Sequence, residues 1–141
     1  MTRKCDFILD IDPMPWRRAR VMRVGRGVRH FTDAKTRAYE AAVEFAAKCA
    51  MAGQPLLEGP VSAEMTFFIA TPASWSNRKA VAARSGEAPA PCTPDIDNCT
   101  KAILDACNEV VFEDDRQVVK LTATKRYAER GGIAVSFEEF R

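Results

Sequence analysis

From Val61 to Ile69 the chain alternates. Val61, Ala63, Met65, Phe67 and Ile69 are apolar, and Ser62, Glu64 and Thr66 stand between them. A period of two demands a strand with one face buried, and Pro72 ends it. A lone strand of this kind is not stable in water, so the rest of the chain must supply pairing partners and an apolar cover. Three further segments read as strands: Phe7, Leu9 and Ile11, ending at Pro13; Val119, Leu121 and Ala123, alternating with Lys120, Thr122 and Thr124; and Ile133, Val135 and Phe137. Gly131-Gly132 separates the last two and predicts a hairpin with a loop of several residues.

Helices supply the cover. Ala38, Ala41, Ala42, Phe45, Ala46 and Cys49 form a 3.6-period stripe, capped by Thr32 or Asp33 and closed by Gly53 and Pro55. A short helix follows over Asn77 to Arg84, capped by Ser76. Another runs from Asn98 to Val110, with Ala102, Ile103, Ala106, Cys107 and Val110 on its apolar face. Between these two helices Gly86, Pro89, Pro91 and Pro94 enforce an irregular connection. The order β–α–β–(α)–α–β–β predicts an α+β fold, with a small mixed or antiparallel sheet packed with helices. At 141 residues it is read as a single domain, 1–141.

Charge narrows the function. The net charge of +2 conceals a basic N-terminal segment, residues 13–37. It holds Arg17, Arg18, Arg20, Arg23, Arg26, Arg29, Lys35 and Arg37 against a single acid, Asp33. Such a stripe expects a polyanionic partner, and arginine favours phosphate contacts. Trp16, beside Arg17-Arg18, suits either stacking on a base or packing. No apolar run is long enough to span a membrane, so no membrane partner is expected. The five cysteines are scattered without a C-x-x-C pair, the pattern of reduced thiols in a cytoplasmic protein. Cys99 and Cys107 read as core thiols. His30 is the lone histidine. A metal site must then use oxygen or thiolate ligands, and Ser-His or Cys-His catalysis would depend on that one residue.

The chemistry concentrates in PDIDNCTKAILDACNEVVFEDDRQ, Pro94 to Gln117. Extended geometry after Pro94 would aim Asp95 and Asp97 to one side while Ile96 faces the core. Lys101 lies four residues after Asp97, so it projects from the helix near that carboxylate. Asp114-Asp115 follow the helix. If the return is tight, two or three carboxylates gather. That set suits Mg²⁺, which prefers hard oxygen ligands, activates water and polarises a phosphoryl oxygen. Lys101 would then neutralise charge in the transition state. The same residues also have plainer uses. Asp97 suits a helix N-cap, Asp95 a solvated turn and Asp114-Asp115 a turn before a strand. Lys101 and Asp105 form a surface i,i+4 pair, and Asp105, Glu109 and Glu113 read as solvated. Spacing alone leaves both readings open.

The motifs together resemble the RusA-type Holliday junction resolvases, small crossover junction endodeoxyribonucleases often encoded by prophages. The resemblance rests on P-D-I-D-N with x-x-K-A-x-x-D-A and then D-D-x-Q-V-V. Upstream it includes Pro13-Met14-Pro15 before the arginines, Phe31-Thr32-x-x-Lys35-Thr36-Arg37-x-Tyr39-Glu40, and Ser74-Trp75-Ser76. It runs roughly from Pro13 to Val135. It implies that Asp95, Asp97 and Asp115 bind the metal, Mg²⁺ or Mn²⁺, that Lys101 is catalytic, and that Asp114 is a companion aspartate and a further candidate ligand. It also implies a RusA-like fold, a homodimer and paired nicks across four-way junction DNA. Two symmetric cuts match a two-fold enzyme. The chain departs from many relatives at three places. Cys92-Thr93 stands where they carry His-Thr, Glu109 stands where they carry glycine, and Glu113 adds an acid.

The expectation is therefore a Mg²⁺-dependent, structure-selective DNA endonuclease with residues 13–37 on the DNA. The alternative is a non-catalytic junction- or duplex-DNA-binding protein that keeps the acids as caps. A weaker one is a metal-dependent hydrolase of free nucleotides, which would not need the basic segment.

Overall fold

The alternating run forms strand β4 (Val61–Ala70), and it lies inside a four-stranded sheet. The computed structural model describes residues 2–17, 20–31, 33–87 and 91–140, without the side chains of 20–22 and 29–31. The other strands of the sheet are β1 (Lys4–Leu9), β5 (Val118–Ala128) and β6 (Gly132–Glu139). Their spatial order is β1–β6–β4–β5. β6 runs antiparallel to both β1 and β4, and β5 runs parallel to β4. The fold is α+β with a mixed sheet, as expected.

The expected hairpin between the last two strands does not form. β5 and β6 follow one another in sequence, but β4 lies between them. Side-chain character explains the choice. Ile133, Val135 and Phe137 of β6 are buried, so β6 fills an interior position. β5 carries Lys120, Lys125 and Arg126 and leaves Leu121 46% exposed, the composition of an edge. Register then stacks Phe7, Val135, Met65 and Ala123 as one row across the sheet.

Helices α1 (Ala34–Met51) and α3 (Ile96–Cys107) pack together over the core, which holds Phe67, Phe112, Phe137, Met65 and Ile103. Asp33 caps α1, accepting from the Thr36 N–H at 2.7 Å; Thr32 lies outside the described residues. The buried face of α1 is Thr36, Tyr39, Val43, Ala47 and Met51, not the stripe through Phe45 and Cys49. Phe45 is 70% exposed. Alanines lie on several faces of this helix, and the steps of four from Tyr39 to Met51 carry the larger side chains inward. Short helix α2 (Asn77–Ser85) starts at its Ser76 cap. It packs beside β5, where Trp75 tilts against Tyr127 at 5.1 Å.

The basic segment contains a hairpin of β2 (Arg20–Val24) and β3 (Gly27–Phe31). Gly25 has φ 59, the left-handed value a tight primed turn needs at its first position. At the β5–β6 turn, a Cβ on Gly131 would collide with the Asp12 side chain, so glycine lets the segment after β1 pass close by. Among the described residues, no helix is long and apolar enough to cross a membrane.

The cysteines divide by position. Cys5, Cys99 and Cys107 are buried and Cys49 is exposed. Burial pushes the Cys5 and Cys99 thiols up to about 11 and raises Cys107 as well. At neutral pH these three are protonated packing groups, not nucleophiles.

Candidate active site

Helix α3 begins two residues earlier than its spacing predicts. Asp95 is its N-cap and Asp97 lies in its first turn. The Asp95 carbonyl accepts from the Cys99 N–H at 3.0 Å, and Ile96 O accepts from the Thr100 hydroxyl at 2.8 Å. The helical start changes where the two carboxylates point. Two residues along a strand share a side, but two residues along a helix lie about 200° apart. Ile96 is accordingly 36% exposed and does not face the core as expected. Upstream, the Lys125 ammonium from β5 donates to the carbonyls of Cys92 at 2.6 Å and Pro94 at 3.1 Å. This fixes the approach to the helix, which includes a cis Thr93–Pro94 bond.

The return after α3 is tight. Leu57 N–H donates to Val111 O at 2.7 Å, Glu109 N–H donates to Phe112 O at 2.7 Å, and buried Phe112 meets Phe137 edge to face. A short 3-10 helix, Asp115–Gln117, follows. Asp114 caps it, accepting from the Arg116 N–H at 2.9 Å. Gln117 locks the turn from both ends. Its Oε1 accepts from Glu113 N–H at 2.9 Å and Asp114 N–H at 3.3 Å, while its Nε2 donates to Leu57 O at 3.1 Å and Gly59 O at 3.0 Å. Asp114 is thus occupied in the turn itself, and the next residue, Asp115, faces the helix.

Asp97, Lys101 and Asp115 line one open hollow of about 680 Å³ between α3 and β5, with Asp105, Leu104 and Leu121 also on its wall. Lys101 and Asp105 follow Asp97 at steps of four, one helix face. Asp105 is exposed, as expected of a solvated residue, and it also lines the hollow. Its pKa is raised by partial burial and by the Asp115 charge, and held back by Lys101 and by the Trp16 indole. Both Asp95 and Asp97 also raise the Cys99 thiol beneath them.

Asp95 lines the adjoining hollow, of about 710 Å³, with Arg17, Lys35 and Tyr39. Tyr39 is buried, and burial pushes its phenol up to about 12. Its hydroxyl sits beside the Met14 backbone without a well-formed hydrogen bond. Arg17, Arg23, Arg26, Lys35 and Arg37 are exposed. Arg20 and Arg29 are placed on β2 and β3 by backbone alone, and Arg18 lies outside the described residues.

The donor set around the first hollow is carboxylate oxygen, the kind a hard cation takes. Among the described residues, no three His, Cys, Asp or Glu side chains stand together as a ready cluster. Mg²⁺ keeps several waters and is usually held by one or two carboxylates plus substrate phosphate, so Asp97 and Asp115 suit it without a full cage.

Glu109 marks a departure with a structural cost. It has φ 65, a left-handed conformation, where the resembling family often has glycine. A non-glycine residue there costs about 1–2 kcal/mol, and glycine's extra unfolded freedom costs about 0.5–1 kcal/mol in return. Glu109→Gly is therefore expected to stabilise the protein by about 0.5–1 kcal/mol. Urea unfolding at constant m-value checks it, and a destabilised variant would refute the strain.

Similarity to known proteins fits this geometry. The family model described as Endodeoxyribonuclease RusA matches residues 10–138. The chain is also 34% identical over 88 residues to the uncharacterized protein YqaN of Bacillus subtilis (strain 168). That match covers 61% of this chain and 62% of the relative, so it spans less than two thirds of the relative's length. The family match runs from the segment before Trp16 through both hollows to the end of β6, and by it the chain belongs to the RusA endodeoxyribonuclease family.

Proposed function

We propose that this chain is a divalent-metal-dependent DNA endonuclease that resolves four-way junctions by paired symmetric nicks. The observation that carries the reading is the shared hollow of Asp97, Lys101 and Asp115. Asp97 and Asp115 hold the ion, Mg²⁺ or Mn²⁺, with Asp95 as the third ligand from the adjoining hollow. An ion held there would supply an activated water and polarise the scissile phosphoryl group. Lys101 supplies positive charge where negative charge develops on the phosphate. Asp114 acts as a cap and not as a ligand.

The exposed cations Arg17, Lys35 and Arg37, together with the arginines of the β2–β3 hairpin, contact the DNA backbone. Affinity for junction DNA then falls steeply with salt. The chain works as one endonuclease domain in the cytoplasm, with residues 13–37 as its DNA-contacting part. It works as a homodimer, since each protomer supplies one cutting site and a junction needs two.

The test incubates purified protein with a mobile four-way junction and Mg²⁺ or Mn²⁺. Symmetric nicks that vanish with chelator are expected. Junction binding without nicking in either metal would favour the non-catalytic binding protein instead.

A further inference from the structure

Trp16 reaches Lys101 from outside α3. Its backbone N–H donates to the Asn98 carbonyl at 2.8 Å, fastening the segment after β1 to the first turn of the helix. Its side chain is half-buried and packs against the core. The Lys101 ammonium lies 4.1 Å from the Trp16 ring centroid, within cation–π range. The indole also lies near the Asp105 carboxylate and favours its charged form. One ring therefore engages two residues one helical turn apart on the same wall.

That placement solves a problem set by the charges. Lys101 has a long flexible stem and shares its hollow with Asp97, Asp105 and Asp115. Left alone, it would pair with one of the three. Yet among the described residues no carboxylate oxygen lies within ion-pair distance of its ammonium. The aromatic face gives the ammonium a partner that attracts it without neutralising it.

We propose that Trp16 is a positioning residue: its ring holds the Lys101 ammonium off the carboxylates and aims it at the scissile phosphate. This rests on the reading of Lys101 as the cation that acts on that phosphate. The competing role is packing alone, in which Trp16 would affect folding but not the lysine.

The test measures single-turnover cleavage of junction DNA bound at saturation by the wild type, W16F, W16A, K101A and the W16A/K101A double variant. W16A is expected to slow the bound step about 10- to 100-fold, the scale set by a misplaced catalytic group, with junction affinity changed less than about threefold. W16F keeps a ring and should recover much of that loss. The double variant should be no slower than K101A, because Trp16 acts through Lys101. Multiplying effects in the double variant, or W16F as slow as W16A, would overturn the proposal. K101A cleaving at the wild-type rate would instead sink the underlying reading of the lysine. A second measurement does not depend on activity or on W16A folding. In ¹⁵N-labelled protein, Lys101→Met should move the indole N–H resonance of Trp16 and leave that of Trp75 in place. An unmoved Trp16 resonance would also overturn the proposal.

Discussion

Asp97→Asn is expected to abolish junction nicking, by about a thousandfold or more, while junction binding survives. Asparagine has the same shape and keeps an oxygen acceptor for the Asn98 N–H, which Asp97 Oδ1 now accepts at 2.9 Å. What it loses is the charge. Two uses of that charge make different predictions. In the first turn of α3 a carboxylate favours the positive end of the helix, worth about 0.3–1 kcal/mol. If that were its whole role, the variant would melt slightly lower and cleave normally. If Asp97 holds the metal, the activated water and much of the transition-state charge stabilisation are lost together. Removing even one preorganised group commonly costs about 10²–10³ in rate. Single-turnover cleavage at saturating protein, beside a melting curve and a binding titration, separates the two. Wild-type cleavage by this variant would remove Asp97 from the site.

Phe112→Ala is expected to cost about 3–5 kcal/mol of folding stability, the usual range for deleting a buried aromatic ring. Phe112 is fully buried and meets Phe137 at 5.2 Å with an 88° tilt, a favourable edge-to-face pair. For a chain of this size the melting temperature should fall by about 10–17 °C. Phe112 also lies in the return that places Asp115. Its neighbours in sequence tie the return to Leu57 and to the end of α3. Cleavage per folded molecule should therefore drop as well, measured well below the melting point. A variant that melts within a few degrees of the wild type would show that this ring does not anchor the return.

The two variants probe different depths of the same site. Asp97 was legible from its residue type and its spacing to Lys101. Phe112 was visible only as an apolar residue in Val110-Val111-Phe112, with nothing local to show that it anchors the loop before Asp115. Asp105 is exposed, as its solvated reading expects, but its place on the hollow was not legible, for a related reason. Its four-residue step from Lys101 was plain, but the wall that makes this face a hollow comes from β5 and from the 3-10 helix Asp115–Gln117. Trp16 lies far from Lys101 in sequence, and stacking on a base and packing were equally open until the ring was found beneath the lysine. Glu109 was noticed as a departure from glycine, and its φ gives the departure a physical cost.

The strands were legible because alternation is a local property of the chain, and so were the helices. Their pairing was not. Whether β6 lies beside β5 or between β1 and β4 depends on which side chains can share an interior, and adjacency in sequence pointed to the wrong neighbour. The facing of α1 depended in the same way on what lies opposite it. Two residues later in the same chain, a strand and a helix would aim Asp95 and Asp97 differently, and only the start of α3 at Ile96 separated them. The sequence by itself determined the element types, the basic N-terminal segment and the acids available for chemistry, since these follow from residue type and short-range period. The tertiary structure decided which acids share a hollow with Lys101, because that depends on a packed return and an edge strand brought together from distant parts of the chain.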